Sequence, residues 1–453
     1  MSLIKTNFVK WFCRRHLRKV QHTTLNPKGP GVVRIHLVPP KKPWEQNSVV
    51  ILNGADRIPL TPSWAILLCN FIGEVNKYDG KTIGENEWTG IITRTIKKTS
   101  KVYFKTSRKK LQKDLRTILS VFLDIAYGRD PKVDVGVISP AEYVDNMRAP
   151  FRMDIMVSPM KKDGHWNCNQ KCVHCYAAGQ CEAETGVLST KDFFRVIDKC
   201  REAGIPQITF TGGEPTMNRD LPKLVDHAKW FMTRLNTNGI RMTEQLCEDL
   251  MAASLDAVQF TFYDAVAENH NQLVGGEHYD QTLEGITNAI KCGLSVSINT
   301  PLCTINRDYV NTLKFLHELG IIYVTCSGMI ETGNARTEES QSIQLTGDEL
   351  YEILREASKF CKENDMELQF TSPGWIDDDK LHELGLMVPA CGACMENMAI
   401  APNGDVVPCQ SWLNGTTFGN ILTDDWNDIW NDPECVKIRK QSAGHYTKCP
   451  LRD

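Results

Sequence analysis

The chain has 453 residues, 42% hydrophobic and 24% charged, with a formal net charge of −3. That balance excludes a disordered or low-complexity protein and leaves room for two or three domains with a substantial core. The best apolar stretch, Trp64 to Ile72, is far shorter than the roughly 18 residues a membrane span needs, so no membrane partner is expected.

Residues 1–24 hold six Lys or Arg and no acid but lack the apolar centre of a secretory signal, and read as a solvated basic helix. Val49–Asn53 and Ile58–Pro62 suggest a strand pair, Ser63–Val75 a helix, and Leu111–Tyr127 a second, amphipathic helix. Residues 1–150 contain 26 Lys and Arg against 12 Asp and Glu, the remainder 26 against 43. The most basic stretch, Arg94–Arg116, sets Lys97, Lys98, Lys101, Lys105, Arg108, Lys109, Lys110 and Lys113 against Asp114 alone. It fits a nucleic-acid face, a dock for an acidic peptide or for this chain's own acidic half, or a solvated face. Asp130–Pro150, with Pro131, Pro140 and Pro150 among mainly polar residues, reads as a linker after an N-terminal α+β domain over residues 1–129.

From Arg152 strands and helices alternate. Strands are expected at Arg152–Ser158, Gln207–Thr211, Thr233–Asn236, Ala257–Phe262, Val296–Thr300 and Ile322–Cys326. Helices are expected near Thr190–Ala203, Leu221–Phe231, Glu244–Ala253, Asp280–Cys292 and Tyr309–Leu319. Six such units imply an α/β domain built on a parallel sheet, with chemistry at the carboxyl ends of its strands.

The 17 cysteines are unevenly used. Cys13, Cys69, Cys200, Cys247, Cys292, Cys303, Cys326 and Cys361 stand singly among apolar or helical residues and read as small hydrophobes, and Cys181 as structural. Asn167-Cys-Asn-Gln-Lys-Cys-Val-His-Cys-Tyr176 is different, because it gathers Cys168, Cys172 and Cys175 in one loop with no fourth cysteine at ligand spacing. A closed zinc or ferredoxin site uses four protein ligands, whereas three thiolates on a cubane leave one iron free for a substrate or cofactor. The strand Gln207–Thr211 then runs into Gly212-Gly213-Glu214-Pro215, where two glycines allow close backbone approach and a carboxylate can hold an amino group.

The cysteine loop after a strand, followed in order by Gly-Gly-Glu-Pro, resembles the radical S-adenosylmethionine (radical SAM) enzymes. The resemblance implies a partial (β/α)6 barrel over residues 151–375, with a 4Fe–4S cluster on Cys168, Cys172 and Cys175. SAM would be held through Gly212, Gly213, Glu214 and Pro215, with Thr261 and Asn299 on neighbouring strand ends and the backbone of Tyr176 at the adenine. Thr261 and Asn299 also fit as partners of buried backbone, and Tyr176 as a packing residue. Near the C-terminus, Cys391-Gly-Ala-Cys394, the turn Ala401-Pro-Asn-Gly404 and Cys409 are similar to the auxiliary-cluster half of a SPASM or twitch extension, here residues 376–453. Phe418–Ile421 and a helix over Trp426–Arg439 fit the same extension. One auxiliary iron–sulfur cluster, 4Fe–4S in type, is then expected on Cys391, Cys394, Cys409 and Cys449; Cys435 is the less favoured fourth ligand, and an open iron or a structural zinc site stays possible on spacing alone.

The resemblance implies one-electron cleavage of SAM to methionine and a 5′-deoxyadenosyl radical that abstracts a substrate hydrogen. The order of elements in the first domain is similar to the small winged-helix peptide-recognition module fused to radical SAM enzymes that modify ribosomal peptides. A peptide substrate with an acidic leader is therefore expected, crosslinked through thioether or carbon–carbon bonds or epimerised. A cofactor-biosynthesis or protein-maturation enzyme of the same superfamily is the alternative, and a metal-bound nucleic-acid module the non-enzymatic one. The electron donor would be a flavodoxin or ferredoxin, and free thiolates imply a reducing cytoplasm.

Overall fold

The computed structural model describes residues 3–25, 32–78, 81–444 and 446–451. The chain divides into two compact units, Met1–Ala149 with Cys200–Pro206 and Trp230–Met232, and Pro150–Lys199 with Gln207–Lys229 and Thr233–Asp453.

The first unit holds an antiparallel sheet in the order β1 (Gln21–Leu25), β2 (Val33–Val38), β3 (Ser48–Leu52), β4 (Asp56–Leu60). Asn53, Gly54 and Ala55 turn β3 into β4, with Asn53 and Gly54 at φ 47° and 73°, positive values that Asn and Gly adopt most readily. Helices Leu3–His16, Pro62–Val75, Glu85–Val102 and Arg108–Ala126 accompany the sheet. The first is not a purely solvated helix, since Val9, Phe12 and Cys13 are buried in the core of this unit. Pro62–Val75 is its central helix: Ala65, Ile66, Leu68, Phe71 and Ile72 are all buried. On the same helix Glu74 is completely buried and receives Lys77 at 2.8 Å, Arg94 at 2.7 Å and Lys98 at 2.5 Å. Burial alone would raise its pKa, but the hydrogen bonds from Lys77, Lys98 and Arg94 outweigh it and hold the carboxyl at about 2. Part of the basic stretch is thus a structural clamp, while Lys97, Lys101, Lys105, Arg108, Lys109, Lys110, Lys113 and Arg116 remain exposed.

The second unit contains β5 (Arg152–Ser158), a small hairpin of β6 (Lys161–Lys162) and β7 (His165–Trp166), and then β8 (Gln207–Gly212) and β9 (Met232–Thr237). After these come β10 (Ala257–Thr261), β11 (Ser295–Pro301), β12 (Tyr323–Ser327), β13 (Glu367–Phe370), β14 (Asn397–Ile400) and β15 (Val406–Val407). Nine of them form one sheet in the order β13-β12-β11-β10-β9-β8-β5-β14-β15. The pairings β5–β8, β9 through β13 and β5–β14 are parallel, and β14–β15 is antiparallel. The expected six-strand α/β core is present, extended by β13 at one edge and by the C-terminal strands at the other. Along β10, Val258 and Phe260 are fully buried while Gln259 and Thr261 are half-buried. This alternation gives the sheet an apolar face under the helices and a polar one opposite. Register sets Thr261, Asn299, Thr325 and Gln369 in one row of that polar face. Among the described residues no helix is long and apolar enough to cross a membrane.

Candidate active site

The cysteine loop follows the β6–β7 hairpin and is fastened by its backbone. Lys171 N and Val173 N donate to Val274 O at 3.1 Å and Leu273 O at 3.0 Å, at the end of helix Ala267–Val274. Asn334 donates through its backbone N to Cys175 O at 2.9 Å and through Nδ2 to Cys172 O at 3.1 Å, and Ser340 Oγ donates to Val173 O at 2.7 Å. Asn167 Nδ2 reaches Ser158 Oγ at 2.9 Å, tying the loop to the end of β5. The sulfurs therefore sit on a braced loop at the carboxyl edge of the sheet.

Burial pushes the Cys168 thiol up to about 12. It raises Cys172 further, with the Cys175 and Cys168 thiols adding to the effect, and it raises Cys175 as well. Three thiols that perturb one another and that burial keeps from ionising alone form a donor set suited to a strongly cationic metal centre. Among the described residues no three His, Cys, Asp or Glu side chains close on a point the size of a single metal ion. Cysteine thiolates are the ligand type of a 4Fe–4S cluster, and three buried cysteines in one loop match that donor chemistry.

Gly212 and Gly213 have distinct reasons to be glycine. Gly212 has φ 146°, and a Cβ there would stand 2.3 Å from Ser158 O; one on Gly213 would stand 2.9 Å from Pro159 O. Pro215 begins a short turn, Pro215–Met217, that carries Thr216 back to Glu214. Glu214 is buried, and its Oε1 accepts from Thr216 N at 3.0 Å, Thr216 Oγ1 at 2.6 Å and Thr237 Oγ1 at 2.7 Å, while Oε2 accepts from Asn238 N at 2.9 Å. Burial raises the Glu214 pKa against the pull of those bonds. A carboxylate offers about four acceptor positions, and Oε2 here has one left for a cationic amine. Glu214→Gln is expected to keep the iron content and to weaken SAM binding by about 1.5–3 kcal/mol, the range for a hydrogen bond to a charged group. Calorimetric titration with SAM checks this, and an unchanged affinity would remove Glu214 from the amine site.

The remaining expected positions are distributed as follows. Thr261 and Asn299 are register partners, and Asn299 Oδ1 accepts from Thr325 Oγ1 at 2.8 Å. Tyr176 lies beside Cys175, its phenol raised by burial, but its carbonyl already accepts from Gln180 Nε2 at 2.6 Å and Thr332 Oγ1 at 3.2 Å. Thr237 and Asn238, which grip Glu214, belong to the run Asn236-Thr-Asn-Gly239 that the sequence sets at the carboxyl end of a strand, but the sequence assigned neither of them a role.

The second cysteine set is built around β14 and β15. Cys391 N donates to Tyr446 O at 2.8 Å and Cys394 N to Asn397 O at 3.0 Å. Gly404, at φ 96°, closes the turn between the strands, and Asn420 Nδ2 supports it through Asn403 O at 3.0 Å. Burial pushes the Cys409 thiol up to about 12, with Cys391 and Cys449 adding to the effect, so these three face one another. The nearby Cys435 thiol and burial raise the Cys394 thiol, with Cys409 adding to the rise, while Cys394 lowers Cys435. Cys391, Cys394 and Cys449 thus each lie near enough to Cys409 to interact with it electrostatically, and Cys435 is buried beside Cys394. Gln180 links this region to the first loop, accepting from Leu413 N at 3.0 Å and donating to Ser411 O at 3.0 Å.

A braced three-cysteine loop at the carboxyl edge of a parallel α/β sheet, with a second cysteine set on an added hairpin, is the arrangement that a radical SAM domain with an auxiliary iron–sulfur domain would need. The chain carries a Radical SAM superfamily domain over residues 167–316 and a SPASM iron-sulfur cluster-binding domain over residues 391–451. Its cofactors are accordingly a 4Fe–4S cluster, SAM and auxiliary iron–sulfur. The AdoMet-dependent heme synthase of Oleidesulfovibrio alaskensis is 28% identical over 301 residues, 62% of this chain and 76% of that protein. The PqqA peptide cyclase of Granulibacter bethesdensis is 26% identical over 284 residues, 58% of this chain and 71% of that protein. Among solved structures, Streptococcus suis SuiB bound to S-adenosylmethionine superposes with a TM-score of 0.60 at 18% identity, covering 93% of this chain and 89% of that one. SuiB bound to its precursor peptide SuiA gives 0.57 at 16% identity, covering 86% and 87%.

Proposed function

We propose that this radical SAM enzyme modifies a peptide, which it receives through its N-terminal unit. The observation that carries the reading is coverage: the fold match to SuiB spans 93% of the chain, whereas the heme-synthase relative aligns with 62%. A fold shared with an enzyme that binds a precursor peptide therefore extends beyond the barrel. The N-terminal unit adds a four-stranded antiparallel sheet, an edge to which an extended segment can pair, and an exposed run of basic side chains suited to an acidic leader.

In this reading Cys168, Cys172 and Cys175 would hold three corners of the cluster and leave the fourth iron to the amino acid moiety of SAM. When bound, that pair supplies a 5′-deoxyadenosyl radical that takes a hydrogen atom from the substrate. Glu214 Oε2 would accept from the SAM amine, Gly212 and Gly213 would let the strand end approach it, and Thr261 and Asn299 would offer polar groups from the adjoining strand ends. Cys391, Cys394, Cys409 and Cys449 would hold the auxiliary cluster, which would accept an electron or bind the substrate. A flavodoxin or ferredoxin supplies the electron that starts the cycle. The second reading, turnover of an iron porphyrin, has the heme-synthase similarity in its favour.

The two are separated by incubating the reconstituted chain, SAM and a reductant with a peptide encoded beside its gene or with an iron porphyrin. A peptide lighter by two hydrogens, or one that takes up solvent deuterium at an α-carbon, supports the proposal. An inert peptide with porphyrin consumed would replace it by the second reading.

A further inference from the structure

Arg439 is a buried cation without a carboxylate. It lies on helix Pro433–Ala443, is 8% exposed, and among the described residues no Asp or Glu pairs with it. Isolated charge is costly to bury, and a guanidinium in such a place is expected to face an anion. What it faces is sulfur. Arg439 Nη1 stands 3.7 Å from Cys435 Sγ, and Ser442 of the same helix donates through Oγ to Ala393 O at 2.8 Å, which sets the helix against the backbone next to Cys394; both cysteines are fully buried.

The guanidinium is also fixed in direction. Nη1 and Nη2 each donate to Trp430 O at 3.1 Å, and Cζ lies 3.7 Å from the centroid of the Trp430 ring. A fork that grips one carbonyl and stacks on an indole has little freedom to turn away. Trp430 ends the preceding helix, Trp426–Trp430, whose Trp426 stacks on it with centroids 5.9 Å apart. The surroundings that hold Arg439 are thus aromatic and carbonyl, which orient its charge without neutralising it.

We propose that Arg439 and Cys435 form an outer shell of the auxiliary cluster, Arg439 holding positive charge behind Cys394 and thereby raising the potential at which that cluster accepts an electron. The proposal rests on the reading of Cys394 as a ligand. Thiolate-bound clusters carry net negative charge, and reduction adds one more electron; a fixed cation beside a ligand sulfur favours the reduced form. Arg439 is a positioning residue here, without contact to substrate.

The test is a redox titration of the reconstituted full-length protein, followed by electron paramagnetic resonance and compared between wild type and Arg439→Gln. The proposal expects at least a tenfold loss in the one-electron reduction equilibrium of the auxiliary cluster, about 59 mV towards negative potential for n = 1. The radical SAM cluster should keep its potential and the iron content should hold. Arg439→Lys, which retains charge, should stay closer to wild type than Arg439→Gln. An unshifted auxiliary potential in Arg439→Gln, or an equal shift in Arg439→Lys, would overturn the proposal. If Arg439→Gln does not fold, Arg439→Met keeps the stem over Trp430 and supplies the neutral comparison with the same two outcomes. Survival of auxiliary iron in Cys394→Ala would remove the ligand reading and the proposal with it, whereas loss of that iron beside an unshifted potential would overturn the proposal alone.

Discussion

Replacing Cys168, Cys172 and Cys175 together by alanine is expected to remove about four irons per chain, the content of one 4Fe–4S cluster, and to abolish formation of 5′-deoxyadenosine. Three features of the loop lead to this. Its sulfurs are the grouped donors at the carboxyl edge of the sheet, each thiol is raised by burial, and the backbone that presents them is held by Asn334, Ser340 and the end of helix Ala267–Val274. Those anchors are main-chain or belong to other side chains, so they survive the substitution and the barrel is expected to stay folded. Circular dichroism checks the fold, and iron, sulfide and nucleoside assays check the chemistry. Retained SAM cleavage would contradict the assignment of the loop.

The second large effect concerns the other thiolate set. With Cys391, Cys394 and Cys409 replaced by alanine and the first loop intact, the chain should still form 5′-deoxyadenosine while the modified product disappears. The reason is spatial division of labour: in the proposed reading SAM would be held at Glu214, beside Thr237 and Asn238 at a strand end, while Cys391, Cys394 and Cys409 flank the β14–β15 hairpin. Single variants refine the ligand set. Cys449→Ala should lower auxiliary iron, because Cys449 faces Cys409. Cys435→Ala should keep it, because the Cys435 sulfur already accepts from Arg439 Nη1. Normal auxiliary iron in Cys449→Ala would favour an iron left open to substrate, and loss in Cys435→Ala would make Cys435 the ligand.

Much of the barrel was legible because its strands are bounded by glycine, proline or cap residues and alternate with amphipathic helices. Helix Thr190–Ala203 was expected at those same ends, and β8 differed by one residue, running to Gly212. The N-terminal sheet was half legible. Its β3–β4 hairpin shows an Asn53-Gly54 turn between apolar runs, but β2 was passed over although Val33-Arg-Ile-His-Leu37 alternates apolar and polar residues, and the structure buries Arg34 and His36 along with the aliphatic ones. Helix Glu85–Val102 was read only as basic charge, although Ile91, Thr95, Ile96, Thr99 and Val102 make a buried stripe with threonine at two of its places. The motif residues of the site could be named from sequence, but their supports could not. Thr237, Asn238 and Asn334 lie far from Glu214 and the cysteines along the chain, and a hydrogen bond across such a gap leaves no local pattern. Arg439 was hidden for a similar reason, since its partners are a carbonyl, an indole face and a thiol rather than an acid at helical spacing.

The most direct measurement is made on the wild-type protein, purified and reconstituted without oxygen. Iron and acid-labile sulfide are counted, and the chain is then given SAM and dithionite. The account predicts about eight irons per chain, two 4Fe–4S clusters, and 5′-deoxyadenosine formed only when reductant is present. A protein that binds zinc in place of iron and leaves SAM intact would contradict it.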